Sequence, residues 1–112
     1  VMELETALRE EAPVIVVVSV DEGWGMERSA YTFQGYPPEE HHGIDISGQV
    51  RYDLMAQSMG CYGEKVDDIE QLTPALERAA ASGKPAVLHV RVDQALNAKP
   101  PGYELFRYVR TL

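Results

Sequence analysis

"PVIVVVSVDEGWGM", residues 13–26, is the stretch on which the fold turns. Five β-branched residues, 14–18, run through Ser19 and Val20 into Asp21-Glu22-Gly23, and then into Trp24-Gly25-Met26. β-Branched side chains suit a pleated surface. The run lacks the polar alternation of a half-exposed strand, so it predicts a strand over 14–20 covered on both faces, at the centre of a parallel sheet. Pro13 sets its start, because proline disfavours helical geometry in the residue before it.

Working outward, residues 2–12 read as a helix, with Leu4, Ala7 and Leu8 at helical spacing and Glu3, Glu5, Glu10 and Glu11 on solvated faces. After the strand, residues 25–31 suit a short helix. A long connection over 34–49 follows, with Pro37-Pro38, His41-His42 and three glycines. A helix is expected over 51–59 with Gly60 as its stop, and a short strand over 62–66. A third long helix spans 68–82. Pro74 breaks its regularity, so a first turn capped by Asp68 and a restart capped by Thr73 are expected, with Gly83 as the stop. The last strand is expected over 86–92, with Ala86, Leu88, Val90 and Val92 inward and His89 and Arg91 on a less buried face. Residues 97–112 form a tail whose Tyr103, Phe106 and Tyr108 are expected to pack on a neighbouring surface. Strands alternating with helices imply right-handed parallel crossovers. The expected fold class is α/β: a three-layer parallel sheet with flanking helices.

At 112 residues the chain is one domain at most. Eighteen acidic side chains against ten basic ones give a net charge of −8, which argues against nucleic acid or an anionic membrane as partner. An anionic cofactor that brings its own divalent metal is not repelled, because the ion then dominates the local field. The single cysteine, Cys61, excludes a disulfide framework and a cysteine-rich zinc site, and points to a reducing compartment, the cytoplasm. No apolar run approaches membrane-spanning length, and the first residues do not form a signal peptide.

Ligands of open parallel sheets collect beyond the carboxyl ends of the strands, and Asp21 stands at such an end. Two readings are open there. Asp-Glu-Gly is good turn chemistry. A carboxylate is also a hard oxygen ligand for magnesium, with the Gly23 carbonyl placed to turn toward the same ion and Gly25 letting the backbone pass close to a ligand. The pair His41-His42 reads as solvated, Cys61 as a small core residue, His89 as a satisfied or surface histidine, and Arg28 as an ion-pair partner of Glu27 or Glu22.

Two segments, "MELETALREEAPVIVVVSVDEGWGMER" and "RYDLMAQSMGCYGEKVDDIEQLTPALERAAASGKPAVLHVRVD", resemble the diphosphate-binding domain of thiamine-diphosphate-dependent enzymes, in particular the acetolactate synthase and 2-hydroxyacyl-CoA lyase branch. The resemblance covers nearly the whole chain. In that family the diphosphate is held through magnesium. The ion's protein ligands are the aspartate of a Gly-Asp-Gly motif, the second residue of a downstream asparagine pair, and a carbonyl two positions further. Val20-Asp21 falls on the pair and Gly23 on the carbonyl position. The resemblance therefore implies Asp21 and Gly23 as metal ligands, and Asp21, Gly23, Trp24, Gly25 and Met26 as cofactor-binding residues; Trp24 and Met26 flank the cofactor loop, where lining the pocket by the thiazolium ring and anchoring the loop by packing are both open. Val20 and Asp21 both depart from asparagine.

Gly-Asp-Gly does not occur in residues 1–112. The glutamate that activates the cofactor belongs to a different domain, so no catalytic residue is expected in this chain. The expectation is that residues 1–112 are the C-terminal part of a thiamine-diphosphate-binding domain, a fragment inactive alone. Its partners would be the rest of the polypeptide or a partner chain carrying the pyrimidine-binding domain, in a homodimer or homotetramer acting on a 2-oxo acid or acyl substrate. The alternative is a non-catalytic assembly or regulatory module that has lost the cofactor site.

Overall fold

A computed structural model describes residues 2–96. Among these, two compact units are distinguished, one of residues 2–20 and 49–92, the other of 21–48 and 93–96. The first unit is an α/β sandwich. Its elements are α1 (Met2–Arg9), β1 (Ile15–Val20), α3 (Tyr52–Ser58), β2 (Tyr62–Val66), α4 (Leu72–Ala81) and β3 (Ala86–Arg91). The second holds α2 (Gly25–Phe33) and short 3₁₀ turns at Pro38–Glu40 and Gln94–Leu96.

The three strands form one parallel sheet in the order β1-β3-β2. Alternate residues of β3 face opposite layers. Ala86, Leu88 and Val90 pack with Val66 against Ala75 and Ala79 of α4. Val87 packs on the other face with Leu4 of α1, Ala56 of α3 and Cys61. Helices therefore cover both faces, which is the three-layer arrangement expected from the alternating pattern. Cys61 is buried as a small core residue, as its sequence context suggested.

Two strand assignments are reversed. Among the described residues β1, expected at the centre, lies at the edge of the sheet, and Val14, Ile15, Val16 and Val17 are exposed, Val14 by 48%. β3, expected to have one wetter face, is the central strand, and His89 is only 4% exposed. The reason is topological. The crossover through α4 returns the chain to the inner side of β2, so among the described residues β3 is paired along both of its edges and β1 along one. An apolar run reports that a strand is meant to be covered, and does not say by which part of a polypeptide.

Helix ends follow backbone chemistry. α1 stops at Arg9, earlier than expected, and Glu11 takes a left-handed φ of 52° before the strand. Gly60 and Gly83 end their helices with φ of +87° and +65°, a region that favours glycine. Asp68 caps a 3₁₀ turn over Ile69–Gln71, its Oδ1 accepting from the Glu70 N–H at 3.0 Å. Thr73 is not a cap, because α4 begins at Leu72. Pro74 falls in the first turn, where the missing N–H has no intrahelical partner to lose.

The start of α3 carries a group of polar contacts. Arg51 grips Asp53 with two bonds, Nε to Oδ1 at 2.8 Å and Nη2 to Oδ2 at 2.5 Å. Asp53 is 1% exposed, and the Arg51 hydrogen bonds hold its carboxyl below the usual range against the opposing effect of burial. His89 Nδ1 accepts from the Tyr52 N–H at 3.4 Å, so the ring is neutral there. Burial pushes His89 below the ordinary imidazole value; Asp53 and Asp67 oppose that push, while Arg51 and Lys65 add to it. The unfolded chain protonates this histidine near pH ~6.5, before the folded one does. Stability of this unit is therefore expected to be full above that pH and to fall as the pH drops from there toward the lower folded value. Urea unfolding at closely spaced pH values checks this. His89→Phe should flatten that interval, leaving the loss near pH ~4 that belongs to carboxylates such as Asp53.

Candidate functional site

Asp21 directly follows β1 in the chain and opens a tight turn within the second unit. Its Oδ1 accepts the Gly23 N–H at 3.2 Å, which closes the turn through the side chain. The turn reading of Asp-Glu-Gly is thus realised. Between them, Glu22 takes a left-handed φ of 57°. For a non-glycine residue this costs on the order of 1 kcal/mol and has to be held by the surroundings.

The holding contacts come from three directions. Gly23 forms an isolated antiparallel bridge with Asp45. Its two bonds run from the Trp24 N–H to the Ile44 carbonyl at 2.8 Å and from the Ile46 N–H to the Glu22 carbonyl at 2.9 Å. Gln94 donates its Nε2 to the Asp21 carbonyl at 2.7 Å. Arg28, on α2, pairs with Asp45 at 2.7 Å rather than with the expected Glu27 or Glu22. Gly23 is enclosed: a Cβ there would overlap Arg28 Nη2 and lie 3.0 Å from the Ile44 carbonyl oxygen and 3.1 Å from Gln94 Nε2. Neither bridge bond uses the Gly23 carbonyl.

The expected site residues are contiguous and fall into two groups. Asp21, Gly23 and Gly25 are partly buried. Trp24 and Met26, at the start of α2, are 55% and 65% exposed. The His41-His42 pair divides. The His41 ring stacks on Tyr31 with centroids 5.0 Å apart, and its Nε2 lies 3.1 Å from the Tyr36 carbonyl oxygen, while His42 is exposed. The tail aromatics Tyr103, Phe106 and Tyr108 lie outside the described residues.

The family model for "Thiamine pyrophosphate enzyme, C-terminal TPP binding domain" matches residues 1–90. The chain belongs to the thiamine pyrophosphate enzymes. Within that family it is 34% identical over 99 residues to a probable acetolactate synthase of Mycobacterium bovis and to the acetolactate synthase large subunit IlvG of Mycobacterium tuberculosis. A catabolic acetolactate synthase of Raoultella terrigena is 32% identical over 96 residues. These alignments take in 85%, 85% and 82% of this chain but only 17%, 17% and 16% of the relatives. The chain thus spans about a sixth of their length.

One carboxylate and one backbone carbonyl two residues apart are donor types that suit a hard cation. Among the described residues no three histidine, cysteine, aspartate or glutamate side chains stand where they could together hold a metal ion. An ion at this turn would draw its remaining ligands from the cofactor and from beyond these residues. Sequence reading missed Asp45 and Gln94. Gln94 reaches Asp21 across 73 positions of sequence, and no local pattern announces such a contact. No helix among the described residues is long and apolar enough to cross a membrane.

Proposed function

We propose that this chain is the part of a thiamine-diphosphate- and magnesium-dependent enzyme that moors the cofactor's diphosphate, in an enzyme acting on carbon–carbon bonds next to the carbonyl of 2-oxo acids or 2-hydroxyacyl compounds. Family membership supports the cofactor, and one observation supports the local reading: the Asp21 carboxylate and Gly23 belong to a single turn, closed by the Gly23 N–H. When bound, the cofactor supplies an electron sink for breaking or forming such a bond. Asp21 and the Gly23 carbonyl would hold magnesium, and they take no part as acid or base. Gly25 allows close approach of backbone to ligand. Trp24 and Met26 offer exposed apolar surface beside the turn for the cofactor's rings.

The rest of the polypeptide or a partner chain would provide the remaining metal ligand, the pyrimidine-binding domain and the activating carboxylate. The assembly would be a cytoplasmic homodimer or homotetramer. The acetolactate synthases among the relatives make 2-oxo acids the first substrates to try. With magnesium and thiamine diphosphate, the full-length polypeptide is expected to release carbon dioxide from a 2-oxo acid, and residues 1–112 alone are expected to be inert. Turnover by the isolated chain, or none by the full polypeptide across a panel of 2-oxo acids and 2-hydroxyacyl thioesters, would contradict the proposal.

A further inference from the structure

The peptide units 21–22, 22–23 and 23–24 carry the candidate metal turn, and each is pinned by a hydrogen bond to another segment of the second unit. The Asp21 carbonyl accepts from Gln94 Nε2 at 2.7 Å, the Glu22 carbonyl accepts from the Ile46 N–H at 2.9 Å, and the Trp24 N–H donates to the Ile44 carbonyl at 2.8 Å. A trans peptide is planar, with its C=O and N–H directed to opposite sides. Fixing the Trp24 N–H on Ile44 therefore turns the Gly23 carbonyl away from that carbonyl. Gly23 has no side chain to restrict its own backbone, so the direction of its oxygen is set by these bonds.

The bonds to Ile44 and Ile46 are main chain to main chain. The bond to Asp21 comes from a side chain, and Gln94 stands on a turn of its own. Asp93 Oδ1 accepts the Ala95 N–H at 2.8 Å, and the Asp93 carbonyl accepts the Leu96 N–H at 3.1 Å, which fixes the backbone from which the Gln94 side chain extends. Its tip meets both ends of the metal turn: Nε2 bonds the Asp21 carbonyl and lies 3.1 Å from where a Cβ on Gly23 would stand. Between those ends Glu22 keeps its left-handed φ of 57°, a conformation that persists only while its surroundings hold it.

The Arg28–Asp45 pair is the weaker hold. The Asp45 side chain is 74% exposed, and exposed ion pairs contribute little. The Gln94 bond is part-buried, where water does not fully replace a lost partner.

We infer that Gln94 is a positioning residue: through the Asp21 carbonyl it holds residues 21–23 in the conformation that presents the Asp21 carboxylate and the Gly23 carbonyl to one magnesium ion. Gln94 acts through the turn and is not itself a ligand. This role rests on the reading of Asp21 and Gly23 as metal ligands. Without the bond the turn populates other conformations, and the ion has to select the competent one. The apparent magnesium affinity then falls by the competent fraction, and a saturating concentration of the ion recovers it.

Thiamine diphosphate binding by the full-length polypeptide, titrated across a range of magnesium concentrations, tests this role. Gln94→Met keeps the length of the side chain and loses the donor. It should raise the half-saturating magnesium concentration roughly three- to tenfold and leave cofactor binding at saturating magnesium as in the wild type. In the metal-free protein the Gly23, Trp24 and Ile46 amides should exchange faster by a similar factor. Gln94→Lys restores a donor and should slow them again. An unchanged magnesium requirement in Gln94→Met, beside a wild type that needs the ion, would overturn the role of Gln94 alone. Equal weakening at limiting and saturating magnesium would overturn it too. Wild-type binding that ignores magnesium, or no binding by the wild type, would overturn the reading of Asp21 and Gly23 and the role of Gln94 with it. Should Gln94→Met not fold, Gln94→Leu takes its place; failure of both to fold would make Gln94 a residue of the fold and overturn its assignment as a positioning residue.

Discussion

In the full-length polypeptide, Asp21→Ala is expected to weaken thiamine diphosphate binding on the order of a hundredfold at limiting magnesium, and far less at saturating magnesium. The asymmetry follows from what the carboxylate is proposed to do. Losing one oxygen donor lowers the ion's affinity, and excess ion restores occupancy by mass action. Asp21 also closes the turn by accepting the Gly23 N–H, so alanine could act by loosening the loop instead. Asp21→Asn separates the two roles. Its amide oxygen closes the same turn and offers the metal a neutral donor. It should keep the loop intact and still need more magnesium than the wild type. Titrations of cofactor at two magnesium concentrations read both effects. Equal weakening by alanine at both concentrations would mark Asp21 as a turn residue only.

The largest loss of stability is expected from Gly63→Val, at least about 3 kcal/mol, enough to unfold a small three-stranded unit. Gly63 lies in β2 beneath α3. A Cβ there would overlap the Asp53 carbonyl oxygen and sit 2.8 Å from the carbonyl carbon and 3.0 Å from Gln57 Cγ. Two of these three atoms are backbone, so the clash is not relieved by turning a side chain. Gln57 also donates to the Gly63 carbonyl at 2.8 Å, which fastens the helix to the strand at that point. Denaturant unfolding monitored by circular dichroism should show either no cooperative transition or one shifted to much lower denaturant. Gly83→Ala offers a control, since nothing lies within 4 Å of a Cβ there and only the left-handed φ of 65° is penalised. Wild-type-like stability of Gly63→Val would mean that α3 does not press on β2 as described.

Much of the fold can be read from local signals. The apolar run before Asp21, the glycines at 60 and 83, and the spacing of Leu72, Leu76 and Ala79 place strands and helices within a few residues of where they stand, although Ala80, expected to face inward with them, is exposed. The position of each strand in the sheet cannot be read this way. Val14–Val18 looks central because it is made to be covered, and β3 looks half-exposed because of His89. Nothing local to His89 tells that α3 will bury it and supply the Tyr52 N–H.

The candidate site divides along the same line. The turn from Asp21 to Gly23 is legible because turn formation needs only a short-range pattern. Arg28 with Asp45, and Gln94 with the Asp21 carbonyl, are tertiary contacts between residues with no shared periodicity. They hold the left-handed Glu22 in place, and only the folded chain discloses them.

The central claim is that magnesium, gripped at Asp21 and Gly23, is what fastens a diphosphate to this part of the molecule. Calorimetric titration of thiamine diphosphate into the full-length polypeptide, with magnesium and again after chelation, tests it most directly. The account expects saturable binding with the metal and loss of that binding without it. Binding that survives chelation unchanged, or no binding in either condition, would contradict it.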